Sequence, residues 1–364
     1  MNITQKTDIC TGCGVCMAIC PSSAIQMQAD SHGFLHPVVD AEKCSDCGLC
    51  TRKCPVSVLP QNSAHTDVLT GYAKDGTLLP RSSSGAIFPV LAAEIIRRGG
   101  LVFGAAFDGQ FHVIHTVAES VEELSALCSS KYVQGRIPSD CYAQVKAALA
   151  AGRWVYFSGM PCQVAALKSY LSRDYDTLIT QDTACHSVPS PLVWEGYKEE
   201  LEKQHGGKLT AFSFRNKANG WEAYHIRAAF DNGREFTQPA AENPYQRGFI
   251  KGLYSRSSCF VCKFKGIERC SDITLADYWG VKGVQPDAYN PQGTSLVLIH
   301  SEKGRSLLEG CKDQLQLQPA AKDAFAFNPA VLAPIQKPAR YDEFWEGYGQ
   351  TSFADLVSAC CEPT

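Results

Sequence analysis

Two stretches near the N-terminus decide how the rest of the chain is read: Cys10-Thr-Gly-Cys13-Gly-Val-Cys16-Met-Ala-Ile-Cys20-Pro21 and Cys44-Ser-Asp-Cys47-Gly-Leu-Cys50-Thr-Arg-Lys-Cys54-Pro55. Both obey C-x2-C-x2-C-x3-C-P, and together they hold eight of the 18 cysteines. A disulfide framework is the first alternative. It suits short secreted chains, whereas this sequence has 364 residues and opens on polar Met1-Asn2-Ile3-Thr4-Gln5-Lys6 without the apolar core of a secretory signal. A reducing, cytoplasmic setting is therefore expected, and in it the cysteines read as metal ligands.

The spacing is the one used by bacterial-type ferredoxins for [4Fe–4S] clusters. Gly12, Gly14 and Gly48 leave the backbone free to turn around a cluster, and the proline ends each run without an amide hydrogen to satisfy. In two-cluster ferredoxins the fourth cysteine of each run serves the other cluster. One set is then Cys10, Cys13, Cys16 and Cys54, the other Cys44, Cys47, Cys50 and Cys20. A structural zinc ion takes four ligands and leaves half of these cysteines unexplained. Residues 1–57 thus resemble a ferredoxin domain, a carrier of single electrons.

A formal net charge of −3, from 34 Lys+Arg against 37 Asp+Glu, gives no basic patch for nucleic acid. No run of 18 apolar residues predicts a membrane span. Residues 58–80, with Pro60, Gly71, Asp75-Gly76 and Pro80, read as a linker. Beyond them strands (101–107, 112–117, 153–157, 177–181) alternate with helical stretches (86–96, 138–151, 161–171, 191–204), which predicts an α/β domain. Polar alternation over 208–240 predicts an antiparallel annex. No G-x-G-x-x-G follows a strand and no phosphate-binding loop is present.

Ten cysteines remain. Cys162 falls in Ser158-Gly159-Met160-Pro161-Cys162-Gln163, at a strand-to-helix junction whose helix N-terminus favours a thiolate. Cys185 lies in Ala184-Cys185-His186, and Cys259-Phe-Val-Cys262 is a C-x2-C pair. On spacing alone that pair fits a metal site or an ordinary loop equally well.

Residues 81–320 resemble the beta-subunit family of coenzyme F420 hydrogenases and dehydrogenases. The resemblance rests on Arg81-Ser-Ser-Ser84-Gly85, Ser130-Lys131-Tyr132-Val133, Ser158-Gly-Met-Pro-Cys162-Gln163, Cys185-His-Ser-Val-Pro-Ser-Pro191, Phe212-Ser-Phe-Arg215, Gly220-Trp221, Cys259-x2-Cys262, Arg269-Cys-Ser-Asp272-Ile-Thr274-Leu-Ala-Asp277-Tyr-Trp279-Gly280 and Gly293-Thr294-Ser295. Met160, Ser187, Ala86 and Ala276 depart from the residues usual at their places in these motifs, which bears on the substrate face more than on flavin binding. The resemblance implies FAD and one further [4Fe–4S] cluster, held by Cys162, Cys185, Cys259 and Cys262, with Cys270 as a competing ligand. Three clusters and one flavin are then expected. Residues 321–364 read as a C-terminal extension.

The resemblance also places roles. Ser83, Ser84 and Gly85 suit flavin phosphate or ribityl oxygens, or only cap a helix. Lys131 and Tyr132 bring a cation and an aromatic face to the flavin, or are a solvated lysine beside a core tyrosine. Ser158, Gly159 and Pro161 stand beside Cys162. His186 supplies a proton or is a structural histidine. Asp277 and Trp279 contact flavin or close a turn, while Arg215 and Lys217 read as a solvated strand edge. The function implied is an oxidoreductase between one-electron carriers and a two-electron substrate, because flavin works in both regimes. Its expected partners are ferredoxin or a similar carrier and a small-molecule or deazaflavin-type substrate. The alternative is an electron-transfer subunit docking on a separate hydrogenase or dehydrogenase catalytic subunit.

Overall fold

The computed structural model describes Ile3 and residues 8–362. The N-terminal unit consists of α1 (Val15–Ala18), the hairpin β1 (Ile25–Ala29) and β2 (Leu35–Val39), and α2 (Leu49–Arg52). Its two short helices repeat one device, since each starts after a glycine in the left-handed region, Gly14 at φ 73° and Gly48 at φ 68°. Ile3, Cys16 and Ile25 make its small core.

The body begins with β3 (Asp67–Ala73), α3 (Ile87–Arg97), β4 (Leu101–Phe107), β5 (Val113–Ala118), α4 (Leu124–Leu127) and α5 (Cys141–Ala150). Then come β6 (Val155–Gly159), α6 (Pro161–Leu171), β7 (Leu178–Thr183) and α7 (Pro191–His205). Pro161 and Pro191 each take the first helical position, where a missing amide hydrogen costs nothing, and Ser190 Oγ caps α7 by accepting from Val193 N at 3.3 Å. The antiparallel sheet β8 (Leu209–Asn216), β9 (His225–Phe230) and β10 (Glu235–Pro239) follows, then α8 (Pro244–Lys251) and β11 (Ile273–Asp277). The chain closes with α9 (Val281–Val284), β12 (Ser295–Ile299), α10 (Glu302–Gly310), β13 (Leu315–Pro319), α11 (Pro329–Leu332), α12 (Tyr341–Gly347) and α13 (Phe353–Cys361).

Eight strands form the central sheet in the order β13-β3-β12-β11-β7-β6-β4-β5. β4, β6, β7 and β11 run parallel in its middle, and the flanking strands are antiparallel. This is the mixed α/β architecture expected from the alternating pattern. Along β6 the strand period of two is visible in the packing. Tyr156 joins the core under α3 and α10, whereas Val155 and Phe157 join the opposite core under α5 and α6. Truncating a wholly buried side chain of the second core, such as Leu167, costs about 2–5 kcal/mol.

Two expectations need correction. Residues 67–73, read as linker, are β3, which sits between β12 and β13. Its partners lie more than 200 residues further on, so nothing local announces the pairing. The C-terminal residues do more than extend the chain. α12 and α13 pack with α7 and α8 around Phe344 and Val357, and residues 327–330 reach the site described next. No described helix is long and apolar enough to cross a membrane.

Candidate functional site

In open α/β sheets the carboxyl ends of parallel strands are where ligands gather. Here β6 ends at Gly159 and leads to Cys162, β7 ends at Thr183 and leads to Cys185, and β11 ends at Asp277. These ends open on a cavity of about 650 Å³, within the range of pockets that hold cofactors.

Most of the flavin residues expected from the sequence line this cavity: Ser83, Ser84, Lys131, Tyr132, Ser158, Gly159, Asp277 and Trp279, with His186 beside Cys185. Gly85 and Pro161 do not. Gly85 lies behind the wall, where its N–H donates to Ser295 Oγ at 2.9 Å and a Cβ would stand 2.5 Å from Gly71 O. Its role is close approach of α3's leading turn to β3 and β12. Pro161 faces a separate small pocket beside Asp182 and Cys270.

Arg215 and Lys217 are not a solvated edge. Arg215 is 2 % exposed and grips Asp277 with two hydrogen bonds, Nη1 to Oδ2 at 2.9 Å and Nη2 to Oδ1 at 3.1 Å. It also donates to Tyr132 Oη (3.0 Å) and Ser83 O (2.8 Å), so one guanidinium ties four segments of the wall together. Trp221 Nε1 donates to the same carboxylate at 2.9 Å and its ring stacks on Trp279 at 4.8 Å. Lys217 Nζ donates to Ser84 O at 2.9 Å, and burial, then the charge of Arg215, pulls its ammonium down to about 7. Sequence reading missed this pair because charged residues on a polar-alternating strand usually face water. The hint was that Arg215 stood in a quoted motif.

Lys131 Nζ is tethered to Cys128 O (2.9 Å) and Ser129 O (3.2 Å), and burial lowers its ammonium to about 8. Two of its three N–H groups are committed and the third is left for the cavity. Ser83 Oγ accepts from Ser130 N at 2.7 Å, which holds the Lys131 turn against the serine loop. His186 Nε2 lies 3.1 Å from Ile250 O, so this nitrogen carries the hydrogen and Nδ1 is an acceptor. Burial and then Lys265 hold its imidazole below the usual range. His115, 3 % exposed and absent from the expected set, is placed the same way by Ser158 O at 3.1 Å.

Several buried polar atoms on this wall have no hydrogen-bond partner among the described residues: Thr11 Oγ1, Ser82 Oγ, His115 Nδ1, Arg215 Nε and Gln246 Oε1. Orphaned donors and acceptors are costly in a packed interior. Gathered around one cavity, they fit a large polar cofactor such as a flavin.

The cysteines fall into groups by the charges each thiol feels. Cys13 is pushed up to about 12 by burial, with Cys10 and Cys54 adding to the rise, and Cys16 is raised by burial, then by Cys13, Cys10 and Cys54. Cys54 comes from the second run. Cys20 and Cys50 pack against the same small core, while Cys44 and Cys47 are exposed. In the body, Cys162 is raised first by burial, then by Cys185, Cys262, Cys13 and Cys259. Cys259 likewise feels Cys185 and Cys262 after burial. Cys270 differs in the charges that act on it: burial lifts it to about 11, and Lys168, Asp182 and Arg269 act after that, although it packs in the same buried cluster as Cys13. As the side chains stand, no group of three or more His, Cys, Asp or Glu among the described residues is placed to hold a metal ion. The grouping therefore rests on which sulfurs face each other and on the cations around them.

Those cations fit a negatively charged cluster. Arg256, 1 % exposed, donates Nε to Cys10 O at 2.6 Å and Nη2 to Leu35 O at 2.9 Å. Lys265 Nζ donates to Cys185 O and, at 2.9 Å, to Ala330 O. Both charges are satisfied by carbonyls, and no carboxylate pairs with either among the described residues. A buried cation such as Arg256 without a counter-ion is expensive, and a cluster ligated by thiolates would supply the missing negative charge.

Residues 152–323 match the family described as the C-terminal part of the beta subunit of coenzyme F420 hydrogenase/dehydrogenase, and residues 9–58 match the "4Fe-4S dicluster domain". None of the curated proteins matches. Among solved structures, one from the xenon-derivatised F420-reducing [NiFe] hydrogenase complex of Methanosarcina barkeri is similar at 16 % identity and a TM-score of 0.49, covering 80 % of this chain and 90 % of that one. The chain thus joins a 4Fe-4S dicluster domain to a region that matches the C-terminal part of the coenzyme F420 hydrogenase/dehydrogenase beta subunit.

Proposed function

We propose that the protein is a cytoplasmic iron–sulfur flavoprotein oxidoreductase, passing electrons between a ferredoxin-like carrier and a two-electron substrate through three [4Fe–4S] clusters and FAD. One observation carries this reading: the cavity at the strand ends is bounded by Thr11 and Gly12 of the first cysteine run, by Cys162 and Cys185, and by the Ser83–Lys131–Asp277 wall. A cofactor seated there touches both cysteine systems and still faces an open mouth.

When bound, flavin supplies the conversion between single electrons and a hydride. The chain's own residues would hold it. Ser83 and Ser84 offer hydroxyls, Lys131 a cation, Tyr132 and Trp279 aromatic faces, and Arg215 its unpartnered Nε. Asp277 keeps Arg215 aimed by a bidentate grip, so its role is positioning. His115 and His186 each present an unprotonated Nδ1, able to accept a hydrogen bond from a cofactor or substrate N–H. Cys162, Cys185, Cys259 and Cys262 would ligate the third cluster, and Arg256 and Lys265 would balance its charge.

Anaerobic purification with iron and flavin measured in the same sample tests this directly. About twelve irons and one flavin per chain are expected, at four irons per cluster. About eight irons without flavin would overturn the reading. The family's beta-subunit character favours a second reading, in which the chain feeds a separate hydrogenase or dehydrogenase that carries out the catalysis. Turnover of a small-molecule or deazaflavin-type acceptor by the isolated chain with reduced ferredoxin separates the two, because a docking subunit alone shows none.

A further inference from the structure

The three cysteine sets differ in depth. Cys44 and Cys47 are exposed, Cys13 and Cys16 are buried, and Cys162 of the body packs in the same buried cluster as Cys13. Two wholly buried side chains close the junction between the first cysteine run and the body. Tyr142, 0 % exposed on α5, donates from Oη to Cys13 O at 2.8 Å. It packs in one buried cluster with Cys13, Cys141, Cys162 and Cys262, so it stands between thiols of two different sets. Arg256 spans the same junction, donating Nε to Cys10 O at 2.6 Å while its own carbonyl accepts from Cys259 N at 2.9 Å. Cys44 and Cys47 have no hydrogen bond to the body among the described residues.

We propose that the three sets work as a line, with Cys20/Cys44/Cys47/Cys50 outermost, Cys10/Cys13/Cys16/Cys54 in the middle and Cys162/Cys185/Cys259/Cys262 innermost, and that Tyr142 is the positioning residue of the middle-to-inner step. The inference rests on the three-cluster reading above and adds the order and the junction. Each step moves one electron from a reduced donor to an oxidised acceptor, with no bond formed or broken. The external one-electron carrier is the reductant, and two electrons reach the cavity for each two-electron substrate. A hydroxyl donating to the carbonyl of a ligand residue withdraws electron density from the middle set and favours its reduced state, because hydrogen bonds around a cluster tune its potential. Exposure of Cys44 and Cys47 leaves the outer set open to a docking carrier.

Two full-length variants test the line. In Tyr142→Phe the ring stays and the donor goes. Redox titration followed by electron paramagnetic resonance should show about a tenfold shift in electron sharing from the middle to the inner set, equivalent to 59 mV for one electron. A shift under twofold would overturn the role of Tyr142. In Cys47→Ser, iron should fall from about twelve to about eight as the outer set is lost. Magnetic interaction between the remaining two reduced sets should persist, and reduction by a reduced bacterial-type ferredoxin should slow at least tenfold while dithionite still reduces both. Loss of that interaction at eight irons, or unchanged ferredoxin kinetics, would overturn the order alone. About eight irons in the unaltered chain would instead remove the three-cluster reading and the line with it.

Discussion

The N-terminal unit and the strand-end cavity gather their chemistry-bearing residues in opposite ways. In the N-terminal unit eight cysteines lie within residues 10–54 and two turns repeat one glycine device, so the set is local to a short stretch of chain. The cavity wall takes Ser83 from one loop, Lys131 from another, Arg215 from the small sheet and Asp277 from the central sheet. A site coded locally survives as a motif. A site assembled from distant segments depends on the packing that aligns them, so substitutions in the wall should damage stability and cofactor retention together.

The sharpest way to break this comparison is to remove one body cysteine. Cys259→Ser should lower bound iron from about twelve to about eight per chain, whereas Cys270→Ser should leave about twelve, by iron assay of the anaerobic proteins. Equal loss in both variants would move Cys270 into the ligand set. Next in size is the wall's ion pair. Asp277→Ala leaves Arg215 buried without its partner, and a loss of about 3–5 kcal/mol in denaturant-derived stability is expected, with loss of bound flavin. Stability within 1 kcal/mol, roughly the worth of an exposed pair, would show that the grip is dispensable.

Gly85→Ala sets packing against contact. The new methyl meets Gly71 O, a backbone atom, so a loss of about 1–3 kcal/mol is expected from crowding alone. Ser84→Ala, on the cavity side, should weaken flavin retention with a smaller stability change. The smallest effect concerns Lys217. Its folded ammonium titrates at about 7 against the ordinary 10.5, so the folded protein binds fewer protons than the unfolded chain between those values. Stability is therefore lowest below the folded value, where the buried charge must be carried. It should rise with pH across that window, by at most about 1.4 kcal/mol per pH unit from this group. The penalty is complete below the folded value and gone above the unfolded one. Lys217→Met should flatten the slope between pH 7 and 9, measured by denaturant midpoints at fixed ionic strength.

Where reading and structure part, the cause is distance along the chain. β3 hides in a stretch punctuated by Pro60, Gly71 and Gly76, and its ladder partners are the distant strands β12 and β13. Arg215 alternates with polar neighbours on β8 and looks solvated until Asp277, 62 residues on, is folded against it. His115 carries no motif at all; its burial and its bond to Ser158 O single it out.

By itself the sequence determined the two cysteine runs of a 4Fe-4S dicluster domain and the α/β alternation. These are encoded by spacings of a few residues, which backbone geometry translates directly into turns, helices and strands. Tertiary structure alone decided that Cys13 and Cys162 pack in one buried cluster, that Arg215 lines the cavity wall and that Lys217 backs it through Ser84 O. Those outcomes depend on which buried groups find partners across the sheet, and such partnerships are settled only when the whole core packs.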